Sequence, residues 1–208
     1  MDDRIQTLAA EAAHQLLQNF RESHARWTDD QTPLEELAAW LGLEITTFHP
    51  DDYPEGTYGF LEPRDNLIWL HRNLSATLRR FTLAHELGHA VLHRQAGHKH
   101  FSFRPPQSVV VVDQGASRED PCQTHDVREE VTGLIFQEQA EELLGIGLPY
   151  DPRSQRELAA NIFAAELLMP LERVRTLYLT EEVPASELAD LFAVSKSAML
   201  NRLIGLLT

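Results

Sequence analysis

Cysteine is nearly missing: Cys122 stands alone among 208 residues. No internal disulfide can form, and zinc sites built on several thiolates are excluded. No stretch approaches the roughly 18 consecutive apolar residues of a membrane-spanning helix. The acidic start, Met1-Asp2-Asp3-Arg4, is not followed by an apolar segment with a small-residue cleavage site, so no secretory signal is read. A reducing cytoplasm is the expected compartment. Lysine is scarce too, with only Lys99 and Lys196 among 18 basic residues. Set against 32 acidic residues, these give a net charge of −14. Such a chain is poorly suited to neutralising phosphates, so direct nucleic-acid binding is not expected. It is better matched to a basic protein partner, although the same charge also serves ordinary solubility.

What remains has the composition of a globular protein, 43% apolar and 24% charged. The length suits one compact domain with a small appendage, or two small domains. Ile5, Leu8, Ala12, Leu16 and Phe20 recur at helical spacing, which predicts an amphipathic helix over residues 4–20. A second helix is predicted from Pro33, in a first-turn position, through Leu41, with Gly42 as its C-terminal stop. Leu43 to Phe48, Tyr58 to Leu61 and Leu67 to Leu70 read as three strands, the last two joined by the turn Pro63-Arg64-Asp65-Asn66. Ser75 is placed to cap a helix running from about Ala76 to Gln95.

Residues 96–127 change character, with Gly97, Pro105-Pro106, Gly115 and Pro121 around one apolar run, Val109 to Val112. A loop this long is usually functional or mobile. A helix is expected from about Val127 to Leu144, then a break at Gly145-Ile146-Gly147-Leu148-Pro149. Ser154 to Met169 is a helix pattern stopped by Pro170, and Leu171 to Leu179 is another. Two short helical patterns flank Ala193-Val194-Ser195 in the tail.

The chemistry concentrates in His85-Glu86-Leu87-Gly88-His89. Side chains four apart on a helix lie one turn above each other on one face, so His85 and His89 can aim two imidazoles at one metal ion. Glu86 then lies beside the metal's water, the arrangement that metal-assisted hydrolysis needs. Phe81, Leu83, Ala84, Leu87, Ala90, Val91 and Leu92 make the helix apolar on several sides, as a buried active-site helix should be. Gly88 costs about 1 kcal/mol of helix stability relative to alanine; its small size lets another segment or a substrate pass close to the metal. His93 continues the series, but a third ligand one turn further along a straight helix is too far from the ion. It is expected beside the site or on the surface.

A catalytic zinc needs a third protein ligand and an open position. The residues alone leave that ligand among the downstream Glu, Asp and His. The helix from Ser154 to Met169 offers Glu157 and Asn161 on one face and Glu166 two and a half turns further on, on another side. Of Glu157 and Asn161, one can bind the ion while the other hydrogen-bonds a ligating histidine.

Two stretches resemble a known family: Arg80-Phe81-Thr82-Leu83-Ala84-His85-Glu86-Leu87-Gly88-His89, and Glu157-x-x-Ala160-Asn161-x-Phe163-Ala164-Ala165-x-Leu167-Leu168-Met169-Pro170. Together they are similar to the ImmA/IrrE metallopeptidases over roughly residues 30–200. The resemblance implies an α+β fold: a mostly helical zincin-like core with a small three-stranded sheet and an active-site helix, plus a helix-turn-helix-like tail. The core is expected over residues 1–170 and the tail over 171–208, with an insertion at 95–150. It also implies that His85, His89 and Glu157 bind one Zn2+ (Mn2+ or another divalent ion being chemically open), with Glu86 as general base and Asn161 orienting a histidine. The activity implied is that of an endopeptidase cleaving basic helix-turn-helix repressors of the XRE type, in a stress or mobile-element response. An alternative is a zinc-bearing protein that holds a repressor or antitoxin-like partner without cutting it.

Other features are weighed against plainer roles. Tyr58, His71, His125 and Tyr178 are candidates for an oxyanion donor. His98, His100, Cys122 and His125 match no standard ligand spacing, and solvated loop residues are the default reading. Ser186 to Leu203 has the plan of a helix-turn-helix, yet only Lys196 and Arg202 bring positive charge to its second helix. A packing role beside the core is favoured, and the apolar end Leu203-Ile204-Gly205-Leu206-Leu207 is suited to the core or an interface.

Overall fold

The computed structural model describes residues 3–25, 27, 30–54, 56–96 and 152–206, with side chains described at all of these but 3, 93–96 and 152–155. The helix expected near Val127, the apolar run at Val109 and the tetrad His98, His100, Cys122 and His125 lie outside the described residues, as does the side chain of His93.

Seven α-helices and a three-stranded sheet make an α+β fold among the described residues. Helix α1 (Asp3–Ser23) buries Ala9, Ala13, Leu16, Leu17 and Phe20 along one stripe, the burial that its helical periodicity predicts. Helix α2 (Leu34–Trp40) follows Pro33, which stands just outside the helix as N-cap. The chain leaves α2 through Gly42, whose φ of +72 is left-handed backbone that glycine adopts without strain. Strands β1 (Glu44–Phe48), β2 (Gly59–Glu62) and β3 (Leu67–His71) pair in the order β1-β3-β2. β3 is parallel to β1 and antiparallel to β2, with Ile45 beside Ile68 and Phe60 beside Trp69. Asn66, at φ +54, closes the turn between β2 and β3. A short 3-10 turn at Pro50–Asp52, capped by His49 and Asp52, has no counterpart in the sequence reading.

Helix α3 (Ala76–Ala96) occupies the centre. Ser75 Oγ accepts a hydrogen bond from Leu78 N at its start. Leu83, Ala84, Leu87, Ala90 and Val91 are buried, and so are the polar Thr82, His85, Glu86 and His89. A helix buried all round must have neighbours on every side. The sheet supplies one of them. A Cβ at Gly59 would stand 2.6 Å from Thr82 Cγ2 and 2.9 Å from Trp69 O, so only glycine lets β2 come this close to α3. Helix α4 (Pro152–Leu168) lies against both α3 and α1, burying Ala160, Phe163, Ala164 and Leu167.

Pro170 ends α4 and leads into α5 (Leu171–Leu179). Helices α6 (Ala185–Leu191) and α7 (Lys196–Ile204) follow, joined by a turn in which Ala193 takes φ +52. An L-residue there costs about 1–2 kcal/mol, offset by Val194 N donating to Ala189 O at 2.9 Å and by Ser195 capping α7. Val174, Leu177, Leu188, Phe192, Met199 and Leu203 belong to the same hydrophobic cluster as α1, α3 and α4. The tail is packed onto the core, and Ile204 stays exposed. Among the described residues, no helix is long and apolar enough to cross a membrane.

Candidate metal centre

Helical geometry brings His85 and His89 together from consecutive turns of α3, and α4 brings Glu157 to them from 68 residues further along the chain. His85 Nε2 and His89 Nε2 lie 2.9 Å apart, while Glu157 Oε2 is 3.3 Å from the first and 3.2 Å from the second. Ligands about 2.0–2.1 Å from a tetrahedral zinc sit roughly 3.3 Å from one another. The two edges to Glu157 match that spacing, and the edge between the histidines, at 2.9 Å, is somewhat shorter. Its donors, two imidazoles and one carboxylate, leave a fourth corner for water or substrate. Both histidines are almost fully buried, and Glu157 is partly open on its outer side. Two imidazole nitrogens this close cannot both present lone pairs to each other without a proton or a cation between them. A divalent ion would satisfy all three groups at once.

The other ring nitrogen of His85 is also committed. Nδ1 lies 2.9 Å from Asn161 Oδ1, and an amide oxygen can only accept, so Nδ1 carries the proton and Nε2 keeps its lone pair for a metal. Asn161 follows Glu157 by one turn of α4, which puts the two side chains on the same face. Replacing Asn161 with Ala is expected to weaken zinc binding about 10–100-fold while leaving the melting temperature nearly unchanged. Competition with a chromophoric chelator measures the first and a thermal melt the second. Affinity equal to wild type would remove Asn161 from the site.

Glu86 is fully buried on the same helix, one position after His85. Gly88 explains how α4 approaches α3 closely enough to bring Glu157 to the two histidines. A Cβ there would lie 3.1 Å from Phe163 Cδ1 and 3.2 Å from both Cα and O of Ala160. The small residue inside the histidine motif thus admits α4.

A family model described as the IrrE N-terminal-like domain, a peptidase family, matches residues 41–109 and 135–204. The chain belongs to this family. No curated protein matches it. The first matched stretch of the IrrE-like domain carries His85, Glu86 and His89; the second carries Glu157 and Asn161. The match breaks off between residues 109 and 135, inside the segment expected to be an insertion, and α1 precedes it.

Outside the IrrE-like histidine and glutamate group, the structure gives contacts to residues for which sequence reading had no role. Arg80, one turn before the histidine motif, donates from Nη2 to Thr32 O at 3.1 Å, and Thr32 Oγ1 donates to Leu167 O at 2.7 Å near the end of α4. Burial lowers the Arg80 pKa, with the charge of Glu35 opposing. Arg173 on α5 grips Asp30 with two bonds of 2.7 and 3.0 Å, and that pairing raises its pKa. Of the residues considered as oxyanion donors, His71 accepts from Asn73 N at 3.1 Å and packs against Phe48 and Tyr58. Tyr178 lines a groove in the tail with Ala185, Leu200 and Ile204. His125 lies outside the described residues.

Proposed function

We propose that the chain is a zinc-dependent endopeptidase that cleaves a basic helix-turn-helix repressor of the XRE type in a stress or mobile-element response. The observation that carries this reading is the convergence of His85, His89 and Glu157, with mutual separations of 2.9–3.3 Å, beside the buried Glu86. Membership of a peptidase family supports hydrolysis. The substrate class is supported by charge: a chain at −14 attracts a partner rich in Lys and Arg.

His85, His89 and Glu157 would hold the ion, and Asn161 fixes the His85 tautomer that faces it. The chemistry supplied by a bound zinc ion is acidification of a water molecule and polarisation of the scissile carbonyl. Glu86 takes the water's proton on its carboxylate and delivers it to the departing amine. Burial strengthens each of these electrostatic interactions relative to water.

The test combines metal analysis of the purified chain with incubation against a small basic repressor encoded nearby. One zinc per chain is expected, together with a cut that stops on chelation and resumes on adding zinc back. A zinc-loaded chain that holds the repressor in a stable complex without cutting it would replace hydrolysis with the binding role.

A further inference from the structure

Glu166 is a buried carboxylate that the hydrolytic mechanism does not use. It sits in the last turn of α4, nine residues after Glu157, which places it about 13 Å further along the helix axis and on the opposite side. Its two oxygens are fully engaged. Oε2 pairs with Nη2 of Arg202 on α7, while Oε1 meets Nε2 of His14 on α1 and accepts from Leu171 N, at the start of α5, at 2.9 Å. Arg202 also donates from Nε to Met169 O at 2.9 Å, so one guanidinium holds both the buried acid and the carbonyl just past the end of α4.

The two faces of α4 therefore have different tasks. One carries Glu157, Ala160 and Asn161 towards α3 and the histidines. The other is clamped at Glu166 by α1, α5 and α7. A helix behaves as a stiff rod over this length, so rotating or sliding its end moves Glu157 by a similar amount. A tolerance of about 0.5 Å is typical of a productive metal or catalytic geometry.

We infer that Arg202, acting through Glu166, is a positioning residue for the metal centre. On this assignment the helix-turn-helix-like tail is the back wall that sets where α4 presents Glu157 and Asn161. The inference rests on the metal-binding reading above and extends it to the tail. It also gives Arg202 a use other than phosphate contact.

The full chain is stripped of metal and reloaded with Zn2+ or Co2+. Zinc affinity is read by chelator competition and coordination geometry by the visible Co2+ bands. Arg202→Met, which keeps an unbranched apolar stem and removes the charge and donors, is expected to bind zinc about tenfold more weakly, with altered Co2+ bands. Arg202→Lys should recover much of the loss, since its ammonium can still pair with Glu166. Lys196→Met, which removes a charge from the exposed face of the same helix, should match wild type. Loss of a positive charge by itself favours cation binding, so weakened affinity in Arg202→Met cannot come from the charge count. A folded Arg202→Met chain with wild-type affinity and Co2+ spectrum overturns the inference. Should that variant not fold, Glu166→Gln is read in the same way, and wild-type behaviour there overturns it equally. A wild-type chain with no zinc affinity would instead sink the metal reading itself.

Discussion

Glu86→Gln is expected to lower kcat/KM for repressor cleavage about 10^3-fold while leaving one zinc bound per chain. General acid–base groups contribute about 10^2–10^4-fold, and a factor of 10^3 corresponds to roughly 4 kcal/mol of barrier. Glutamine has nearly the shape of glutamate, so it fits the fully buried slot on α3. It cannot accept the water's proton and pass it on. The three groups assigned to the ion, His85, His89 and Glu157, are untouched, so metal content should not change. Stability should hold or rise, because an uncharged amide is less costly to bury than a carboxylate. Glu157→Gln gives the contrasting pattern, losing affinity and activity together. A Glu86→Gln chain that cuts within tenfold of wild type would show that the proton travels by another group.

That pairing of variants follows the boundary between what could be read in the sequence and what could not. His85 and His89 are legible because a helix maps a spacing of four onto one face, and the same local rules place the Ser75 cap, the Gly42 exit and the turn at Asn66. Glu157 is not local. With 32 acidic residues to choose from, only the resemblance of the second stretch to a family pattern singled it out. The approach of its Oε2 to both imidazoles depends on how α4 packs on α3. Glu166 is further from reach. The sequence shows an acid inside Phe163-Ala164-Ala165-Glu166-Leu167-Leu168, and an acid in an apolar run has a buried partner somewhere. Its partners, His14 and Arg202, stand 152 and 36 residues away. Nothing in their own neighbourhoods marks them. The turn at Ala193 was hidden for a different reason, since no glycine announces its positive φ.

Gly88→Val tests whether the contact between α3 and α4 sets the geometry of the centre, and its expected effect is nearly as large as that of removing a ligand. Even alanine would place Cβ 3.1–3.2 Å from Phe163 Cδ1 and from the backbone of Ala160. The phenylalanine ring has some freedom to yield, but the Ala160 backbone yields only if α4 moves. Glu157 and Asn161 flank Ala160 on that helix, so any such movement carries both away from the histidines. For Gly88→Ala the clash opposes a gain of about 1 kcal/mol in helix propensity, and the net change in stability is small. Valine adds two methyl groups at the same point, and overpacking of this kind costs about 1–3 kcal/mol. Zinc affinity should fall about a hundredfold, the upper range seen when support around a metal is disturbed. Chelator competition reports the affinity and thermal melting the stability. The two variants should separate these readouts: Gly88→Ala melts near wild type yet binds zinc less tightly, and Gly88→Val is lowered in both. Wild-type affinity in Gly88→Val would mean that the His85, His89 and Glu157 triangle tolerates displacement of α4, and the clamp at Glu166 would then have nothing to hold in place.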